Sequence, residues 1–197
     1  MRKTIRGKKE PDNTQLFLDN HINIDNRIIH IFDEIDQEMA SNVIKGVQLM
    51  MAKDGEKPID VYINSFGGCV YSSFAIYDFL RTQTVEIRTH NIGCAMSGGS
   101  IIYLAGDVRY AYKNSVFMLH TVSDAIPYAK AFEITNNAEN NKAIIKQMCD
   151  IYGERTNRDA QEWKKIIKYE DKYYRSEEAL KLNIVTEIVE YCKVTRH

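Results

Sequence analysis

The chain has 197 residues and a formal net charge of −1, with 44% hydrophobic and 27% charged residues. That size and balance fit one soluble globular domain and exclude a polybasic nucleic-acid binder or a protein held at anionic membranes by charge. No apolar run approaches the ~18 residues of a membrane span, and the basic start, Met1 to Glu10, leads into no apolar stretch of a secretory signal.

Residues 1–15 are charged, hold Gly7 and Pro11, and show no periodicity, so they read as a flexible tail ahead of one domain over 16–197. The run Arg-Ile-Ile-His-Ile-Phe predicts a buried strand over 26–32. Met39, Val43, Val47 and Met50 recur at helical spacing and predict a helix over 36–53, with Asp36 and Glu38 suited to its start. A strand over 59–63 runs into Asn64-Ser-Phe-Gly-Gly68, a turn opening a helix over 70–81. Residues 85–89 form the next strand. The small residues from Asn91 to Gly99 then read as a turn before a buried helix from Ile101.

Residues 108–112 and 115–119 predict two strands joined by Lys113-Asn114 as a tight hairpin, closed by His120. A long helix is expected from Ala129 to about Tyr152, ended by Gly153, and a shorter one around Trp163. Ser176-Glu-Glu-Ala-Leu180 reads as a capped helical turn, and 184–189 as a last strand. Cys69, Cys94, Cys149 and Cys192 lie far apart with no C-x-x-C spacing, which indicates neither a zinc site nor a redox pair. Three of them sit in apolar company and read as small core residues, and a reducing, cytoplasmic setting fits.

Alternating strands and helices imply right-handed crossovers on a largely parallel α/β sheet. The turns at Gly67-Gly68 and Ser97-Gly98 then share its carboxyl edge, where open α/β folds bind ligands, and face each other across a cleft. Acyl transfer needs a nucleophile, a base, a group orienting the base, and N–H donors for an oxyanion. Ser97, His120, Asp171, and the amides of Gly68 and Gly98 are candidates for these parts. Each has a plainer reading: Ser97 as an N-cap, His120 as a half-buried strand end, Asp171 as a solvated carboxylate, the glycines as ordinary turns. No nucleotide-binding glycine pattern is present, and Ala95 replaces the first glycine of a G-x-S-x-G elbow.

Four runs carry a family resemblance: Tyr62-Ile-Asn-Ser-Phe-Gly-Gly68, Gly93-Cys-Ala-Met-Ser-Gly-Gly99, Asn114-Ser-Val-Phe-Met-Leu-His120, and Asp171-Lys-Tyr-Tyr-Arg-Ser-Glu-Glu-Ala179 with Asn183-Ile-Val185 after it. In order and spacing, from about Ile22 to Val189, they resemble the Clp protease proteolytic subunit. The resemblance implies a crotonase-like α/β fold of stacked βαβ units, with a protruding handle helix at about 127–153. It implies Ser97 as nucleophile, His120 as base, Asp171 as orienting acid, and Gly68 and Gly98 as the oxyanion hole. It also implies a homo-oligomer of one or two seven-membered rings, fed with unfolded polypeptide by an ATP-driven AAA+ unfoldase. The peptidase itself would need no metal or cofactor.

The chain departs from the family pattern in five places: Phe66 for a proline, Gly98-Gly99 after the serine, a short loop between the hairpin strands, Thr121-Val122 after the histidine, and Ser123-Asp-Ala-Ile-Pro127 where a glycine-rich substrate-pairing strand is expected. The N-terminal segment also matches poorly. A divergent member fits, including one working without an ATPase. Two rival readings stand beside it: a ring-forming subunit without catalysis, and a crotonase-fold acyl-CoA enzyme, which would want a carboxylate where Ser97 lies.

Overall fold

Burial along Ile59–Ser65 alternates strictly, with Ile59, Val61, Ile63 and Ser65 inward and the residues between them facing out. This is the period of a strand covered by helices on one face. The strand is β3 of a computed structural model that describes residues 21–121 and 131–191. The expected tail over 1–15 and the departure at Ser123–Pro127 lie outside the described residues.

The other strands are β1 (Ile22–Asn23), β2 (Ile28–Ile31), β4 (Ile87–Met96), β5 (Val108–Tyr112), β6 (Val116–Leu119), β7 (Lys172–Arg175) and β8 (Glu187–Val189). The helices are α1 (Gln37–Lys53), α2 (Val70–Arg81), α3 (Gly98–Tyr103), α4 (Ala131–Arg155), α5 (Ala160–Ile166) and α6 (Ser176–Lys181). Six strands follow the order β1-β2-β3-β4-β5-β8, each pair parallel except β1–β2, while β6 pairs parallel with β4 beyond β5 and antiparallel with β7. Asp36 caps α1 by accepting the Met39 N–H at 2.7 Å. Val43, Val47 and Met50 from α1 join Ile76 and Leu80 from α2 and Ile31, Val61 and Ile63 from the sheet in one buried core.

Several local expectations are corrected. The stretch from Asn91 to Met96 is not a turn but the second half of a ten-residue strand. It stays extended because Asn64 lies against it, its Oδ1 accepting the Cys94 N–H at 3.2 Å. Strands β5 and β6 are not a hairpin. Both run parallel to β4, β5 along Arg88–Asn91 and β6 along Cys94–Met96. Lys113-Asn114 only lets the chain jog outward before it rejoins the same strand. Hydrogen bonds from Ser115 Oγ to the Tyr112 carbonyl at 2.8 Å, and from Asn91 Nδ2 to the Val116 carbonyl at 2.9 Å, pin the jog.

Helix α4 runs through Gly153 to Arg155. A Cβ at Gly153 would stand 2.7 Å from the Ala160 nitrogen, so the glycine admits α5 rather than ending a helix. Ser176 is the first residue of α6 rather than its cap, and its hydroxyl donates to the Tyr112 carbonyl at 2.7 Å. Of the cysteines, Cys149 is buried, Cys94 half-buried and Cys69 exposed, and Cys192 lies outside the described residues.

Arg109 ties the last strand to the rest. It is buried and donates to the carbonyls of Ile184 and Asn183 at 2.8 Å, Arg155 at 3.2 Å and Gly106 at 3.3 Å. Burial, with Arg155 beside it, lowers its pKa to about 10. Replacing Arg109 with Met strands these carbonyls, with an expected cost of about 3 kcal/mol and a fall in Tm of about 6–12 °C, read by thermal unfolding.

Candidate active site

Ser97 stands between the end of β4 and the start of α3, with φ 49° and ψ −121°. Such a φ is uncommon for a residue with a side chain and has to be held by its surroundings. Three bonds hold it. The Ser97 N–H donates to the Met118 carbonyl at 2.8 Å, tying the turn to β6. The Ser97 carbonyl accepts the Ser100 N–H at 3.0 Å and the Ser100 hydroxyl at 2.6 Å. Ser100 is buried, and its oxygen lies 3.1 Å from the hydroxyl of Tyr152, itself fully buried on α4. A chain of hydroxyls therefore links the long helix to the backbone of Ser97.

His120 follows β6 directly. Because β6 is parallel to β4, with Met96 opposite Met118, the end of β6 reaches the same edge as Ser97. His120 Nε2 lies 2.7 Å from Ser97 Oγ. Asp171 immediately precedes β7, which pairs antiparallel with β6 in a register that sets Leu119 opposite Lys172. The next step of that ladder puts position 171 beside position 120. Asp171 Oδ1 is 3.9 Å from His120 Nδ1, an ion-pair separation longer than a hydrogen bond. The histidine side chain is 20% exposed and the aspartate 55%.

The glycine turns are in contact rather than separated by an open cleft. A Cβ on Gly67 would lie 2.7 Å from Ser97 Cβ and 3.0 Å from the Gly98 nitrogen. Ile35 forms a parallel bridge with Gly68, its N–H donating to the Gly67 carbonyl at 2.9 Å and its carbonyl accepting the Cys69 N–H at 2.6 Å. A trans peptide sets N–H opposite C=O, so the Gly68 N–H points away from Ile35. By the same planarity the Gly98 N–H points opposite to the Ser97 carbonyl, out of the open end of α3. Ser65 fixes the first turn, its hydroxyl donating to the Asp33 carbonyl at 2.7 Å and accepting the Gly67 N–H at 3.1 Å.

The five sequence candidates thus fall on one edge, and among the described residues the histidine nearest Ser97 in sequence falls elsewhere. His90 is a middle residue of β4, stacked between Tyr62 and Tyr110, with its Nε2 2.7 Å from Asp60 Oδ1. Cys69, at the N-cap of α2, has its thiol pKa lowered, chiefly by the Ser72 backbone N–H. No sequence pattern marks the supporting hydroxyls of Ser65, Ser100 and Tyr152 as parts of the site. Ser100 has one visible signal, its place about one turn after Ser97; Tyr152, fifty-two residues further on, has none. Among the described residues no group of three His, Cys, Asp or Glu side chains is placed to hold a metal ion, and no helix is long and apolar enough to cross a membrane.

Comparison with known proteins places the chain in a family. The family model described as Clp protease matches residues 15–191. The ATP-dependent Clp protease proteolytic subunit of Deinococcus radiodurans is 31% identical over 173 residues, covering 86% of this chain and 83% of the relative. Subunit 1 of the same enzyme from Bacillus cereus is 36% identical over 168 residues, covering 83% and 85%. A solved structure of a ClpP1 point mutant from Listeria monocytogenes superposes with a TM-score of 0.77 at 28% identity, covering 85% of this chain and 94% of that one. The crotonase-like, ClpP-type fold expected from the sequence is therefore the fold observed. With its family match, its relatives and its architecture in agreement, the chain belongs to the Clp protease family.

Proposed function

We propose that this protein is a serine endopeptidase of the ClpP type that hydrolyses unfolded polypeptide through an acyl-enzyme. Ser97 Oγ attacks the scissile carbonyl while His120 Nε2 takes its proton. The N–H groups of Gly68 and Gly98 receive the oxyanion. His120 returns the proton to the leaving amine, and water then repeats the sequence to free the acid. Asp171 orients the imidazole. It does so from 3.9 Å, a separation longer than a hydrogen bond. The scheme uses no metal or organic cofactor.

The observation that carries this reading is the 2.7 Å contact between Ser97 Oγ and His120 Nε2 at a backbone held in a strained turn. The test is labelling of the full chain with a fluorophosphonate, with the modified residue located by peptide mass spectrometry. The expected adduct is on Ser97. An adduct on Ser100 instead, or none in any oligomeric state, would overturn the assignment, and the latter favours a non-catalytic ring subunit.

By family, α4 acts as the handle through which rings of subunits associate, the site faces an enclosed chamber, and an ATP-driven unfoldase supplies substrate. Native mass measurement tests the ring. The hydroxyl chain behind Ser97 gives a further expectation. Replacing Ser100 with Ala removes the 2.6 Å bond to the Ser97 carbonyl, so kcat for peptide hydrolysis should fall about tenfold with KM little changed. Tyr152→Phe should give a smaller fall in the same direction.

A further inference from the structure

Against the Gly67-Gly68 turn lies a hollow of about 580 Å³ walled by Phe32, Asp33, Glu34 and Phe66. Phe66 is 80% exposed, an unusual position for a large apolar ring, and it immediately precedes the glycines beside Ser97. Phe32 is also exposed, at 38%. Two carboxylates share this rim. The Asp33 side chain is 71% exposed, with His21 Nε2 3.4 Å from its Oδ2, and Glu34 is exposed too. The hollow therefore presents aromatic faces and negative charge together, within reach of a chain bound at the Gly68 amide.

A long aliphatic stem ending in a cation matches both features. Its methylenes cover the rings while its head meets the ring faces and the carboxylates. We propose that this hollow is a substrate subsite that receives a lysine or arginine side chain next to the scissile bond, with Phe66 as the specificity-determining residue and Asp33 and Glu34 as charge partners. The inference rests on the serine-peptidase reading of the neighbouring turn and names the substrate class of that site. Neutral aliphatic residues can use the rings alone, whereas an acidic side chain meets like charge. The order expected is therefore basic, then aliphatic, then acidic.

The test is digestion of an equimolar library of unstructured peptides by the full-length protein, with cleavage sites counted by mass spectrometry and fluorophosphonate labelling run in parallel. Lysine and arginine should be enriched about tenfold over aspartate and glutamate at one fixed position within two residues of the cut. The enrichment should shrink in high salt. In the Asp33→Asn/Glu34→Gln double variant the ratio of cuts at basic sites to cuts at leucine sites should drop to about one, a readout taken within one digest and so independent of the fraction folded. Phe66→Ala should lower cutting at basic and aliphatic sites together. Labelling and cleavage without basic enrichment, or enrichment that survives the double variant, overturns this inference alone. Absence of both labelling and cleavage overturns the peptidase reading, and this inference with it.

Discussion

Replacing Ser97 with alanine is expected to lower peptide hydrolysis by about 10⁴-fold or more and to abolish fluorophosphonate labelling. His120→Ala should cost a similar factor, because the hydroxyl 2.7 Å from its Nε2 is a weak nucleophile without a base. The double variant should be no worse than either single one, since the two side chains act on the same proton. Asp171→Asn is expected to cost less, about 10²–10³-fold. Its carboxylate stands 3.9 Å from the ring and is 55% exposed, so water screens much of its effect on the imidazolium. Steady-state kinetics on an internally quenched peptide, with circular dichroism to show that each variant is folded, measures all four. Equal losses for Asp171 and His120 would mean that the aspartate is fully engaged during turnover. Activity retained by Ser97→Ala would remove the acyl-enzyme altogether.

How much of this site was readable beforehand depended on how local its causes are. The β-rich run before His120 announces the strand that it closes, but the strand that carries Ser97 runs past its expected end at Thr89, and a hairpin at Lys113-Asn114 would have sent His120 to the opposite edge from Ser97. Asp171 is a candidate, but its delivery to His120 depends on β7, a four-residue strand, Lys-Tyr-Tyr-Arg, too short to announce itself by alternation. The supposed hairpin failed for a related reason. Lys113-Asn114 is a plausible two-residue turn, but the direction the chain takes after it is decided by β4, some twenty residues earlier. Small residues misled twice. Gly93 admits the Asn64 amide to an unbroken strand, and Gly153 admits α5 to an unbroken helix. In both cases the glycine answers a neighbour that the local sequence does not show. The strain at Ser97 was equally hidden, because it is imposed by Met118 and Ser100, which hold the residue from its two ends.

Gly67→Ala is expected to disable the site through backbone alone. Gly67 has φ 106°, where an L side chain is strained by about 1–2 kcal/mol. Its new Cβ would stand 2.7 Å from Ser97 Cβ, 2.9 Å from the Met96 carbonyl oxygen and 3.0 Å from the Gly98 nitrogen. Two of those three atoms are backbone, and the third belongs to the proposed nucleophile, so no flexible side chain can yield. Relief has to come from spreading the two turns, which moves Ser97 away from His120 or the Gly98 amide away from the oxyanion position. A displacement of about 1 Å costs about 10²-fold in rate, and the combined strain and clash should lower stability by about 2–4 kcal/mol. Gly55→Ala is the matched control, since a Cβ there meets only the Met51 carbonyl, at 3.7 Å, and should change neither quantity by much. The rate of fluorophosphonate labelling separates the two consequences of Gly67→Ala. Folded protein that labels slowly places the defect in the geometry of the turn, and folded protein that labels at the wild-type rate would show that the close packing of the two turns has no part in the chemistry.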